Sequence, residues 1–337
     1  MYKRQIFDKT PFERVIAAEN LLAAEILKLL DHAAYFDLLK LPLPESTEGV
    51  LTALAADSLI SSAEGGQWNI TNLGAVLFAR RLADFGPLGR KAVRVVAYSG
   101  NSKVDTLREQ EEPRGYAIGF ESLIEYVKAL LPANEVIGAA FRTTVRMYPD
   151  LAVRELVANA LIHQDFGVSG AGPMVEIFKD RMEITNPGKP LVETERFLDA
   201  PPRSRNEGVA SFMRRIGACE ERGGGVDKVV FETEFYQLPA PTFEAPGDST
   251  RAVLYAHRPL SKMDKADRVR ACYLHACLRY VNRDFMNNTS LRERFGIKTG
   301  NSATASRYIK EALVAKAIRL ADPGAAQKMR RYVPYWA

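Results

Sequence analysis

Residues 147–167 read MYPDLAVRELVANALIHQDFG, and this stretch decides the fold. Its apolar residues recur at helical spacing, so a helix is expected from Pro149 to Gln164. Glu155, Asn159 and His163 stand at i, i+4 and i+8, which sets a carboxylate, an amide and an imidazole in a row on one face. Val153, Leu156, Val157, Ala160 and Leu161 occupy the other faces and read as buried. A polar row on an otherwise apolar helix is costly unless it meets solvent or a ligand. The stretch is therefore either an amphipathic surface helix or one wall of a binding site.

Before this helix the chain reads as a helix over 16–40, a break at LPLPES, a second helix TEGVLTALAADSLI opened by Ser46 or Thr47, and a glycine-containing hairpin at SSAEGGQWNIT. That outline is winged-helix-like. Its second helix carries Glu48 and Asp57 and no Lys or Arg, so packing or dimerisation suits it at least as well as DNA reading. A strand, KAVRVVAYSG, and a helix around GFESLIEYVKALLPA lead into the central helix. Strand-like MVEIF and MEIT follow, then the helix NEGVASFMRRIG, the glycine run of RGGGVDKVVFETEF, and two short strands within 240–258. Helices alternating with hairpin-joined strands imply an α+β fold, with a helical layer on one face of a mixed sheet.

Two later segments bear on the polar row. DRMEITNPGK ends a strand in a Pro-Gly turn that a base or ribose can approach closely. ERGGGVDKVV sets Gly223, Gly224 and Gly225 directly before a helix, where backbone N–H groups can turn toward a phosphate. Taken alone, such a run is also simply a flexible loop.

With these elements in order, the chain resembles a known family. RELVANALIHQDF resembles the N-box helix of the gyrase B, MutL and histidine-kinase ATPases, the Bergerat or GHKL fold. The nearer resemblance is to the divergent RecG-like C-terminal branch, found among Schlafen AlbA-associated transcriptional regulators. On that branch the corresponding elements here are RELVANALIHQD, DRMEITNPG, SRNEGVASFMRR and EERGGGVDK, within residues 150–245. The resemblance implies bound ATP and Mg²⁺, with Asn159 ligating the metal and Glu155 the general base that activates water. It also implies Asn186 and Gly188 at the adenine and Gly223, Gly224 and Gly225 at the phosphates. His163 stands as a catalytic group, an orienter or a residue with a structural hydrogen bond, and Arg205 and Asn206 at the pocket rim. Asn186 departs from the aspartate usual at its position, but its carbonyl can still accept a hydrogen bond. An AlbA-type module is not expected in residues 1–90, which read as too short and too helical. No G-x-x-x-x-G-K-[ST] loop occurs, so the RecG label carries no helicase activity.

The 337 residues carry a net charge of +5, unevenly spread. Arg258–Ala337 holds 17 Lys/Arg against 6 Asp/Glu, a net of +11, and the remainder is at −6. A basic tail on an acidic body suits nucleic-acid contact. From about Asp267 the chain reads RVRACYLHACLRYV, then NTSLRERFG, then a long helix SATASRYIKEALVAKAIRL capped by Ser302 or Thr304, and a basic hairpin DPGAAQKMRRYVPYW. This is the order of a winged helix-turn-helix. Arg307, Lys310 and Lys316 on the long helix, with Lys328, Arg330 and Arg331 on the wing, are the expected DNA contacts.

Three units are thus expected: a helical, winged-helix-like region over 1–92, a Bergerat-type sandwich over 93–257, and the basic winged helix over 258–337. Cys272, His275 and Cys277 share one helix but make a poor zinc site. Three cysteines without a CxxC pair, no spanning apolar run and a start lacking a signal-peptide core give a cytoplasmic expectation. Three functions compete. One is a transcriptional or phage-defence regulator whose Mg-ATP binding, with slow hydrolysis, controls DNA contact. Another is a nucleotide-gated, homodimerising ATPase of MutL or gyrase type, and the third a scaffold with a degenerate nucleotide pocket.

Overall fold

The computed structural model describes residues 10–131, 133–137, 142–201, 203–219 and 224–337. The chain enters through β1 (Ile16–Leu21), α1 (Ala23–Leu29), α2 (His32–Leu39) and α3 (Thr47–Ala56), then β2 (Ile60–Ser62), β3 (Trp68–Thr71) and α4 (Asn72–Phe78). The single helix expected over 16–40 is corrected to a strand and two helices. Ile16–Leu21 pairs antiparallel with β3, and β2 pairs on the other side of β3. Asn20 takes a left-handed φ of 55° near the strand's end. The Glu25 carboxylate then accepts the Leu22 N–H and starts α1 afresh. Ser46 caps α3 as expected, its hydroxyl accepting the Gly49 N–H at 3.1 Å. The hairpin between β2 and β3 turns through Gly65 and Gly66, both at positive φ.

The middle of the chain supplies β4 (Val93–Tyr98), β5 (Thr106–Glu112), α5 (Tyr116–Leu130), β6 (Ala133–Ile137), β7 (Arg142–Arg146) and α6 (Asp150–His163). β8 (Met174–Ile177), β9 (Arg181–Pro187), α7 (Glu207–Arg215), α8 (Gly225–Phe235), β10 (Thr242–Glu244) and β11 (Ser249–Tyr255) follow. Six strands form one mixed sheet in the order β10-β11-β9-β8-β4-β5. β4 and β8 pair in parallel and the other neighbours antiparallel. The β6–β7 hairpin pairs separately.

Period-2 alternation turns Val95, Val175, Ile177, Met182 and Ile184 toward the helices, where they share a core with Ala152, Val153, Leu156 and Val157 of α6. Each such aliphatic side chain contributes roughly 1.5–3 kcal/mol on full burial, so the apolar faces of α6 fix its orientation. This core runs without a break from Ile26 to Leu254. The regions expected over 1–92 and 93–257 are thus packed as one. β5 gives no hydrophobic signal, because TLREQEE is almost wholly exposed and is held at the sheet edge by pairing with β4.

The remaining elements are α9 (Lys265–Val281), α10 (Asn288–Phe295), α11 (Ser302–Val314), β12 (Ile318–Leu320) and β13 (Tyr332–Pro334). β12 and β13 form an antiparallel pair, and an isolated bridge joins Met286 to Tyr332. Gly296, at φ 62°, ends α10 as its sequence implies. Two expectations are corrected here. Neither Ser302 nor Thr304 caps α11, whose N-cap is Asn301 without a side-chain bond. The helix stops at Val314, so Lys316 lies beyond it at φ 55° and Ile318–Leu320 is a strand. A second core joins these helices to Leu198, Val230 and Ala240 of the central region.

Candidate functional site

α6 forms over Asp150–His163 and presents its polar row as one wall of a cavity of about 580 Å³. That volume lies in the range of small-molecule and cofactor sites. Glu155 is buried and Asn159 and His163 half-buried, and all three reach the cavity.

The facing wall is α7, which runs antiparallel to α6. At one end the Asn206 amide donates to the Ile162 and Gln164 carbonyls, both at 2.8 Å. At the other, Arg154 Nη2 donates to the Gly217 carbonyl at 3.3 Å. Glu13 fixes where α7 begins, since its carboxylate accepts the N–H groups of Gly208 at 3.1 Å and Val209 at 2.7 Å. Glu207, Ser211 and Arg214 then fall at i, i+4 and i+7 and line the cavity opposite α6. Because the helices are antiparallel, Arg214 lies toward the Glu155 end and Glu207 toward the His163 end.

The sheet is the floor. Ile184 and Asn186 of β9, Phe243 of β10, and Thr250 and Ala252 of β11 face the cavity. Thr250 stands directly opposite Asn186 in the β9–β11 ladder. The Asn186 Nδ2 donates to the Pro187 carbonyl at 3.1 Å, leaving Oδ1 as its acceptor.

Charge in the cavity is uneven. Arg203, Arg205 and Arg214 reach it from the α7 side, against Glu155 and Glu207. His163 is pushed down to about 4, first by burial and then by the charges of Arg205 and Arg214. Its imidazole is therefore neutral at pH 7, with one ring nitrogen a donor and the other an acceptor.

The structure brings Glu155, Asn159, His163, Asn186, Arg205 and Gly225 together on the cavity. Gly225 starts α8 against Glu155, and a β-carbon there would overlap the Glu155 carboxylate. Asn206 lies beneath the rim rather than on it, buried and committed to the α6 carbonyls. Gly188 is also behind the wall. At φ 101° a β-carbon would come within 2.6 Å of the Asp165 Cβ, so this glycine lets the end of β9 meet the segment leaving α6. Gly224 is the N-cap of α8, and Gly223 lies outside the described residues. Sequence reading missed Thr250 and Arg214. The 207/211/214 spacing on α7 was a usable signal for the second.

At the C-terminal end, Arg307 and Lys310 project from α11, Lys316 follows it, and Lys328, Arg330 and Arg331 sit in the β12–β13 connection. All six are exposed, and among the described residues none has an ion-pair partner. His275 is held by Glu234 at 2.9 Å and Ser290 at 3.0 Å, and burial pushes the Cys272 and Cys277 thiols up to about 12. Among the described residues no helix is long and apolar enough to cross a membrane.

Residues 170–254 match the model of a family described as "Putative ATP-dependent DNA helicase recG C-terminal". This stretch, which runs from β8 to β11, is thus similar to a divergent ATPase-like family, and the match begins after α6. Among solved structures, the chain shares its fold with the crystal structure of the DIP2311 protein from Corynebacterium diphtheriae. The TM-score is 0.59 at 18% identity over 96% of this chain. The chain spans 64% of the length of that structure. No curated protein matches.

Proposed function

We propose that the cavity binds Mg-ATP and that its occupancy controls a C-terminal winged helix on DNA. The observation that carries the reading is the convergence of Glu155 and Asn159 from α6 with Asn186 and Thr250 from the sheet on one cavity. Asn186 Oδ1 accepts from the adenine amino group, with Thr250 beside it. The donor set fits the metal, since an amide oxygen and a neighbouring carboxylate are the hard oxygen ligands Mg²⁺ prefers. Asn159 would hold the ion, which would supply positive charge to offset that of the phosphates. Glu155 takes the proton of a water that attacks the terminal phosphorus; the bond to the bridging oxygen breaks and ADP leaves.

The C-terminal reading is supported by three helices followed by a strand pair, with Met286 bridging to Tyr332. This is the order and small sheet of a winged helix, with Arg307 and Lys310 on its third helix. α8 supports a route between the two sites. It begins at Gly225 against Glu155, Val226 and Val230 pack into the C-terminal core, and Glu234 near its far end bonds His275 of α9.

A thermal-shift panel of ATP, ADP and GTP, each with and without Mg²⁺, tests the pocket. Stabilisation by adenine nucleotides that depends on Mg²⁺ is expected. No shift with any nucleotide sinks the reading and leaves a degenerate pocket.

A further inference from the structure

The three arginines on the cavity are not equivalent. The Arg205 guanidinium donates to the backbone carbonyls of His163, at 3.2 Å, and Lys189, so it buckles α6 to the segment after β9. Arg203 is exposed at the rim. Arg214 is half-buried, projects from the face of α7 that looks across at α6, and its guanidinium has no hydrogen bond or ion pair among the described residues. A guanidinium sheltered from water without a carboxylate partner keeps its five donors for a ligand.

The antiparallel pairing of α6 and α7 says which part of a ligand meets it. The base-reading pair Asn186 and Thr250 is on the sheet, whereas Arg214 lies toward the Glu155 end of α6. A polyphosphate directed from the sheet along α6 toward its Glu155 end would bring its last group onto the stretch of wall where α7 presents Arg214. Arg214 is a half-buried fixed cation on that stretch, and its charge also reaches His163.

We propose that Arg214 binds the terminal phosphate of a nucleoside triphosphate and makes the site prefer triphosphate over diphosphate. This rests on the nucleotide reading of the cavity.

Calorimetry on the full chain with Mg-ATP, Mg-ADP, adenosine and inorganic tripolyphosphate tests it, comparing the unaltered protein with Arg214→Ala and Arg214→Lys. A charge-assisted hydrogen bond is worth about 1.5–3 kcal/mol, so Arg214→Ala should weaken Mg-ATP and tripolyphosphate by about tenfold or more. Mg-ADP should lose less than about threefold, adenosine nothing, and Arg214→Lys should recover part of the loss because it keeps the charge without the fork. Equal losses for Mg-ATP and Mg-ADP, or no loss for either, overturn the proposal. If the unaltered protein binds tripolyphosphate but neither ATP nor adenosine, and Arg214→Ala removes that binding, the nucleotide reading fails while Arg214 still stands as a polyphosphate ligand. Binding of none of the four probes overturns both.

Discussion

Gly225 and Glu155 are in such close approach that no side chain fits at position 225 without displacing the Glu155 carboxylate. The first residue of α8 therefore sets where the proposed general base stands. Gly225→Ala should favour the isolated helix by up to about 1 kcal/mol. It should nonetheless weaken Mg-ATP binding and slow turnover by about tenfold or more, because an ångström of misplacement is expensive at a reacting centre. Calorimetry and single-turnover hydrolysis check this, and unaltered values for both would show that Glu155 has no positional role.

Asn206 is where a residue expected at the rim turns out to support the site from behind. Its amide satisfies two carbonyls at the end of α6 from a buried position. Asn206→Ala removes both bonds and leaves buried acceptors unpaired, which should cost about 2–4 kcal/mol in denaturant unfolding. A loss of nucleotide binding without that drop in stability would instead put Asn206 in contact with ligand.

The acid side of the stability profile should carry His163. Its folded value, about 4, lies below the ordinary 6.5, so the unfolded chain takes up the proton first as the pH falls. The contribution is complete above about pH 6.5 and is lost as the pH drops toward 4. His163→Gln should flatten this window by on the order of 2 kcal/mol. Asp227 runs the other way, since burial raises it to about 6 and its penalty grows as the pH rises through 4 to 6. Asp227→Asn separates the two contributions, and a His163→Gln profile parallel to that of the unaltered protein would be the wrong outcome.

For the C-terminal unit, Arg307→Glu with Lys310→Glu should weaken binding to a duplex of arbitrary sequence. The slope of log affinity against log salt should fall by about 2, one for each phosphate that the altered side chains no longer neutralise. Fluorescence anisotropy at several salt concentrations measures it. An unchanged slope removes these two residues from the interface.

Much of this protein was legible in its sequence because much of it is local. The row Glu155, Asn159, His163, the Ser46 cap on α3, the Gly296 stop of α10 and the strands at 93–98 and 174–187 depend on spacing and neighbours within a few residues. Local rules failed where pairing overrode them. Ile16–Leu21 is a strand because β3 offers it a partner, and β5 is a strand although no side chain of it needs burial.

What the tertiary structure alone decided is how the site is walled. Glu13 caps a helix that starts 194 residues further on, Asn206 closes the end of α6, Thr250 stands beside Asn186, and Arg214 reaches the cavity toward its Glu155 end. None of these pairings has a fixed sequence separation. Which polar group meets which is set by the burial of the apolar faces of α6, α7 and the sheet, and by the direction in which the two helices run past each other.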